Sequence, residues 1–177
     1  MSRFKEKEAR RVADAIVSQY SEQGISLLHA GSIRRACPEV GDIDLIALVG
    51  GRLKSLKTLP RLKNLRFVRG GAEYHRYEYD IKRGQTIGID IWAANENTLG
   101  GMLLFATGPA DYNIFLRQQA KKRGYHLNQL GLWRGDKHIP LTEDEIQGAL
   151  GVPTLTPSER NMWKRNNRHY QLLADAS

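Results

Sequence analysis

Two aspartates two residues apart open an apolar run, in which Asp42 and Asp44 alternate with Ile43 and Leu45. In a β-strand, residues two apart point to the same side, so the carboxylates would stand together while the apolar side chains face a core. Adjacent carboxylates repel one another unless a cation lies between them. Mg²⁺ suits such a pair because it takes one or two protein carboxylates together with phosphate oxygens. The pair therefore indicates chemistry on a phosphate substrate.

A third carboxylate, Asp90, lies between Ile89 and Ile91 in a second apolar run. Burying an isolated acid is costly, and a single one would more often be an edge residue or an ion-pair partner. Three such acids in two strands that could be neighbours favour a shared metal site. We therefore expect Asp42, Asp44 and Asp90 to hold metal together.

The residues before the acidic pair are suited to an anion. Gly31 and Ser32 offer backbone and hydroxyl groups to a polyphosphate, and Arg34 and Arg35 offer positive charge.

The composition is that of a folded protein with excess positive charge. Of 177 residues, 41% are hydrophobic and 26% are charged, and 27 Lys and Arg against 19 Asp and Glu give a net charge of +8. That excess meets the electrostatic expectation for a nucleic-acid binder. One cysteine, Cys37, excludes an internal disulfide and a multi-cysteine zinc site. The expected metal is therefore a hard cation.

Positive charge is concentrated in separate segments. The stretch from Arg52 to Arg69 contains cations and no acid, so it is either a surface for a phosphate backbone or a solvated basic face. A second set on a predicted helix consists of Arg117, Lys121, Lys122 and Arg123. Near the C-terminus, the same two interpretations apply to Lys164, Arg165 and Arg168.

No apolar run approaches the ~18 residues of a spanning helix. Residues 1–6 carry charges where a signal peptide would have its apolar region. We therefore expect an intracellular protein without a membrane partner.

Strands and helices must position these side chains. Apolar spacing predicts an amphipathic helix over residues 4–22. Apolar runs between turn residues predict strands at 25–30, 43–49, 74–81 and 86–93. The last two would be antiparallel around a turn at Arg83 and Gly84, and Gly31 and Ser32 would form another turn.

The pattern becomes helical from residue 98. One helix is expected from Pro109 to Arg123, short strands and turns over 127–139, and helix starts at Thr142 and Thr156. A helix, a mixed sheet and a more helical second lobe make an α+β fold.

Sequence motifs extend this interpretation along the chain. Gly31-Ser32 is followed by Gly41-Asp42-Ile43-Asp44 and later by Asp90. Further motifs follow in the second half: FATGP at 105–109, LNQLGL at 127–132, TEDEI at 142–146 and PSER at 157–160. From about Ile25 to Arg160 the sequence resembles a family X DNA polymerase of the nucleotidyltransferase superfamily.

The resemblance implies a palm domain over residues 1–104 and a nucleotide-selection domain over 105–177, without an N-terminal lyase domain. The compact layout is similar to the small viral member of the family. A cytoplasmic protein, or a virus- or phage-encoded protein acting in the host cell, is therefore expected.

The resemblance also implies roles for single residues. Asp42, Asp44 and Asp90 would be the catalytic metal ligands. The residues expected to bind the nucleotide are Gly31, Ser32, Arg35, Gly41, Phe105, Gly108 and Asn113. Those expected to bind DNA are Arg117, Lys121 and Lys122.

The implied activity is template-directed addition of deoxynucleotides to a primer 3′-hydroxyl, in short gaps during DNA repair. Two Mg²⁺ ions would assist, with Mn²⁺ as a substitute. The expected partners are primer-template or gapped DNA and deoxynucleoside triphosphates, with the protein a monomer. Two alternatives are an enzyme of the same fold that acts on another acceptor and a DNA-binding scaffold without catalysis.

The sequence departs from the family pattern at two positions. Gly88 stands where a basic residue often precedes the third aspartate, and Ala106 replaces the second of the usual paired residues before Thr-Gly. The resemblance further implies an unusual turn at Gly108 and Pro109, for which we predict a cis peptide bond.

Overall fold

The computed structural model describes residues 3–82 and 84–163. The chain divides into two compact units, residues 1–96 and 97–177. The boundary expected after residue 104 lies inside the helix Leu99–Thr107, which belongs entirely to the second unit. Arg83 of the expected turn and the C-terminal cations Lys164, Arg165 and Arg168 lie outside the described residues. Over the described ranges, no helix combines the length and apolar character needed to cross a bilayer.

The first unit begins with strand β1 and a long helix. Its elements in chain order are β1 (Phe4–Lys5), α1 (Glu6–Ser21), β2 (Leu27–His29), α2 (Gly31–Arg34), β3 (Glu39–Val40), β4 (Asp42–Leu48), β5 (Arg66–Gly70), β6 (Tyr74–Lys82) and β7 (Gln85–Ala94). A short 3₁₀ helix, Leu56–Thr58, precedes β5. Strands β1 and β3 pair with each other.

A mixed sheet with the strand order β2-β4-β7-β6-β5 forms the centre of this unit. Strands β4 and β7 are parallel, whereas β2, β6 and β5 join antiparallel to their neighbours. Helix α1 packs on the sheet through residues spaced three and four apart: Ala9, Val12, Ala13, Ile16 and Tyr20. The predicted amphipathic helix is therefore confirmed, and with it the burial of Ile43 and Leu45 in the core.

The second unit combines helices with a small antiparallel sheet. Its elements are α3 (Leu99–Thr107), α4 (Ala110–Lys122), β8 (His126–Asn128), β9 (Gly131–Arg134), β10 (Lys137–Ile139), α5 (Glu143–Ala149) and a 3₁₀ helix, Glu159–Met162. The predicted helix start at Thr142 is confirmed, because Thr142 and Glu145 form a reciprocal capping box. Both units mix helices with sheets, so the α+β prediction is confirmed.

One local prediction was wrong, and one strand was missed. Gly31 and Ser32 begin the short helix α2 rather than forming a turn between strands. Strand β5 was not predicted within the basic segment, since all five of its residues are exposed and show no buried face.

The cis bond predicted between Gly108 and Pro109 is present, which confirms that prediction.

Candidate active site

The register of the central sheet brings the three predicted carboxylates to one place. Asp44 on β4 lies directly opposite Asp90 on β7, and Asp42 lies opposite Gly88. Because side chains alternate along a strand, Asp42, Asp44 and Asp90 share one face of the sheet. The prediction that the two acidic strands are neighbours is therefore confirmed.

Asp44 is the most perturbed acid of the group. Burial of its carboxyl group and, to a smaller extent, the negative charges of Asp90 and Asp42 together raise the pKa of Asp44 to about 7. The positive charges of Arg35 and Arg76 act in the opposite direction. A carboxylate held in this way is stabilised by any cation that enters the site.

Gly31 makes the position of Asp44 possible. A Cβ atom on Gly31 would overlap the carboxyl group of Asp44, and the Gly31 φ of +57° also favours glycine. The backbone N–H of Ala30 donates to the carbonyl oxygen of Asp44 at 2.9 Å, which fastens the end of β2 to β4. The predicted nucleotide residue Gly31 therefore has a direct steric link to the acidic site.

Asp42 and Asp90 are bridged by Arg76, a residue of β6 that the sequence analysis did not single out. Arg76 donates from Nη1 to Oδ2 of Asp90 at 2.6 Å and from Nη2 to Oδ1 of Asp42 at 2.9 Å. The hydroxyl of Tyr74 donates to the other oxygen of Asp90 at 2.6 Å. Strand β6 thus supplies hydrogen-bond donors to both oxygens of the third carboxylate.

The donor set suits a divalent cation. Three carboxylates on registered strands supply hard oxygen ligands, and Arg76 already stands between two of them as a positive charge. Within residues 3–82 and 84–163, no three His, Cys, Asp or Glu side chains stand in a ready-made metal-ligating arrangement. Arg76 donates to Oδ1 of Asp42 and Oδ2 of Asp90, so a cation that binds either of these oxygens would compete with the guanidinium.

The other predicted nucleotide residues of this unit flank the acids. Ser32 lies in α2, and Arg35 follows it, close enough to act on the pKa of Asp44. Gly41 immediately precedes β4, and a Cβ atom there would meet no other atom within 4 Å. Packing therefore does not explain the glycine at position 41, and its contact with a triphosphate stays a prediction.

In the second unit, the predicted residues of α3 and α4 border a shared groove. Phe105, Asn113 and Arg117 line it together with Asn128, which the sequence analysis did not single out. Asn113 donates from Nδ2 to the carbonyl oxygen of Phe105 at 2.9 Å, so the two helices are joined beside the turn that follows Phe105. Gly108 takes a φ of +66° at this turn.

The predicted DNA contacts lie on α4. Arg117, Lys121 and Lys122 are exposed, and the spacing of Arg117 and Lys121 places them on the same side of the helix. Such a basic face can meet a phosphate backbone. Its role in DNA binding stays a prediction.

The basic segment between Arg52 and Arg69 remains open to both interpretations. Arg66 forms an ion pair with Glu78 of the neighbouring strand. Lys54 donates from Nζ to the carbonyl oxygen of Gly50 at 3.3 Å.

Known proteins resemble this chain in sequence and in structure. The family model described as DNA polymerase beta thumb matches residues 102–161. Repair DNA polymerase X of African swine fever virus (isolate Tick/South Africa/Pretoriuskop Pr4/1996) is 30% identical over 141 residues, which is 76% of this chain and 81% of the viral protein. A second isolate (Pig/Kenya/KEN-50/1950) is 29% identical, over 86% of this chain and 97% of the viral protein.

A longer bacterial protein and a protein of known structure are also similar to this chain. DNA polymerase/3′-5′ exonuclease PolX of Bacillus subtilis is 28% identical over 89% of this chain, which spans 28% of that protein. Leishmania infantum polymerase beta, solved as a ternary P/T complex, superposes with a TM-score of 0.77 at 20% identity, over 90% of this chain and 77% of that one. The likeness to the Leishmania protein shows the fold.

The match to the viral protein combines 30% identity with coverage of most of both chains. Together with the thumb match in the second unit, this extent places the chain in the X family of DNA polymerases.

Proposed function

We propose that this chain is a repair DNA polymerase that adds deoxynucleotides to a primer 3′-hydroxyl under the direction of a template. The observation that carries the proposal is the register of β4 and β7, which aligns Asp44 with Asp90 and keeps Asp42 on the same face. Membership of family X gives this acidic site its reaction class. Leishmania infantum polymerase beta, which has the same fold, was solved both in a ternary P/T complex and in a ternary gap complex. A preference of this chain for short gaps is part of our proposal.

Asp42, Asp44 and Asp90 would hold two divalent cations, Mg²⁺ or Mn²⁺. The two cations would neutralise the negative charge that develops in phosphoryl transfer. The primer 3′-oxygen attacks the α-phosphorus of the incoming nucleotide, and the bond to pyrophosphate breaks. Asp90 is the proposed acceptor of the hydroxyl proton, because it would help to hold the cation that activates the primer 3′-hydroxyl. Tyr74 and Arg76, which donate to its two oxygens, would orient its carboxylate.

The remaining residues orient the substrates. Ser32 and Arg35 would bind the triphosphate beside Asp44, where Arg35 already exerts its charge. Asn113 and Arg117 would lie on the minor-groove side of the nascent pair, and Phe105 and Gly108 under the sugar. Arg117, Lys121 and Lys122 would meet DNA phosphates. DNA and deoxynucleotides are substrates found inside cells, so we place the activity there.

Extension of a labelled primer with Mg²⁺ on single-stranded, recessed and gapped DNA tests the proposal. We expect incorporation that follows the template base and that is fastest in a short gap. Transfer that ignores the template, or that uses only a non-DNA acceptor, would favour another nucleotidyltransferase of this fold. Tight DNA binding without transfer would favour the scaffold alternative.

A further inference from the structure

The guanidinium of Arg76 occupies the space where a side chain of residue 88 would lie, beside the acidic site. A Cβ atom on Gly88 would overlap the guanidinium of Arg76 and would lie 2.6 Å from Oδ1 of Asp42. The backbone of Gly88 does not require glycine, since its φ lies outside the left-handed region. The absence of a side chain at Gly88 is therefore what lets Arg76 reach across β7 to Asp42.

The bridge made by Arg76 is partly buried and joins the two carboxylates that flank Gly88. The exposed fractions of the side chains are 19% for Arg76, 16% for Asp90 and 28% for Asp42. A guanidinium binds two carboxylates well because its donors form a planar fork, and partial burial strengthens the attraction. Arg76 thus lowers the repulsion among the three acids when no metal is bound.

Because of these contacts, Arg76 would compete with a metal ion for the same carboxylate oxygens. Oδ2 of Asp90 and Oδ1 of Asp42 each accept a hydrogen bond from Arg76 and would also be ligands for a cation. A cation that binds either oxygen competes with a charge-assisted hydrogen bond for its electron density and is repelled by the guanidinium.

We propose that Arg76 is a positioning residue that holds Asp42 and Asp90 together without metal and competes with the divalent cation for them. Arg76 can bridge the two carboxylates from β6 because Gly88 has no side chain in the space that the guanidinium occupies. Cation binding releases the contact to Asp42 first, since that hydrogen bond is the longer of the two and Asp42 is the more exposed partner. This inference rests on the proposed function of the three aspartates as metal ligands.

Direct binding of Mn²⁺ to the full chain, without DNA or nucleotide, tests the inference through the electron spin resonance signal of free Mn²⁺. Arg76→Gln removes the competing charge and should tighten Mn²⁺ binding about fivefold or more, while lowering the melting temperature of the metal-free protein. Arg76→Lys keeps the charge but cannot bridge both carboxylates, so it should tighten binding to a smaller extent. Lys82→Gln is the matched control, because Lys82 lies on the same strand and pairs with Glu8 rather than with the site; its affinity should be unchanged.

A folded Arg76→Gln protein with unchanged or weaker Mn²⁺ affinity would overturn the inference and leave Arg76 as an ordinary ion-pair partner. If Arg76→Gln does not fold, Arg76→Lys decides by the same criterion. Asp90→Asn separates this failure from failure of the proposed function. Weaker Mn²⁺ binding by Asp90→Asn with no effect of Arg76 would refute the competition alone, whereas no effect of Asp90→Asn would refute the metal site itself.

Discussion

Arg76 on β6 lies directly opposite Asp90 on β7 and donates to it from Nη1 at 2.6 Å. The same guanidinium reaches Asp42 on the far side of Gly88. The acidic site of the first unit is therefore held together by a strand that carries no member of the acidic triad.

The first prediction concerns Asp44 and pH. Its pKa in the folded chain is about 7, above the ordinary value of 3.8, so the folded state keeps a proton that the unfolded state loses. The stability of the metal-free protein should therefore fall as the pH rises from about 4 to about 7. Asp44→Asn removes this contribution and should stabilise the protein at pH 8 by ~1–3 kcal/mol, a figure reduced for partial solvent exposure.

Chemical denaturation in the presence of a chelator, at pH 5 and pH 8, measures this effect. Asp80→Asn is the matched control, because Asp80 is an exposed carboxylate on β6. If wild-type protein and Asp44→Asn lose stability equally between the two pH values, the account of Asp44 is wrong.

A second prediction concerns the core of the second unit. Arg160 is fully buried, donates to Glu143 at 2.7 Å and to the carbonyl oxygen of Leu155, and lies over the ring of Tyr112. Arg160→Met leaves the Glu143 carboxylate buried without this partner and should cost ~3–5 kcal/mol of stability. The double variant Arg160→Met with Glu143→Gln should recover part of the loss in thermal unfolding. A double variant that is less stable than the single one would contradict this explanation.

DNA binding provides a third prediction. If α4 meets phosphates, the logarithm of the binding constant should fall linearly with the logarithm of salt concentration and depend little on base sequence. Replacing Lys121 and Lys122 with Gln should reduce the magnitude of that slope by ~1 for each lost phosphate contact. Lys137→Gln, on β10 of the same unit, is the control. Equal slopes for all these proteins would exclude α4 from the interface.

The fourth prediction concerns choice of the sugar. Ala106 is partly buried in the last turn of α3, beside the groove residue Phe105. A side chain as small as that of Ala106 would let the turn at Thr107 and Gly108 relax away from the sugar, so we expect measurable ribonucleotide incorporation. Side-by-side extension with deoxy- and ribonucleotides measures it, and Ala106→Phe should reduce ribonucleotide use. Undetectable ribonucleotide use by the wild-type protein would mean that Phe105 and the backbone suffice as a filter.

The acidic triad could be predicted from sequence, whereas Arg76 could not. Alternation with Ile43, Leu45, Ile89 and Ile91 is enough to place the carboxylates on one face of buried strands. The pairing of β6 depends on a local irregularity instead. A regular hairpin that pairs Lys82 with Gln85 would put Tyr77, not Arg76, opposite Asp90.

The observed register changes between Asp80 and Lys82, so that Asp80 pairs with Thr86 and Arg76 with Asp90. A shift of one residue moves every side chain of a strand to the other face, and no pattern of residue types marks this shift.

Strand β5 was not predicted for a different reason. It is an exposed edge, and its pairing with β6 gives no apolar alternation to read.

The central claim is that Asp42, Asp44 and Asp90 form the centre at which nucleotides are added. Single-turnover extension of a gapped primer by Asp90→Ala, together with its DNA affinity and thermal unfolding, tests this claim most directly. The account predicts that nucleotide addition is lost while the protein stays folded and binds DNA nearly as the wild type does. Near-normal extension by Asp90→Ala would contradict it.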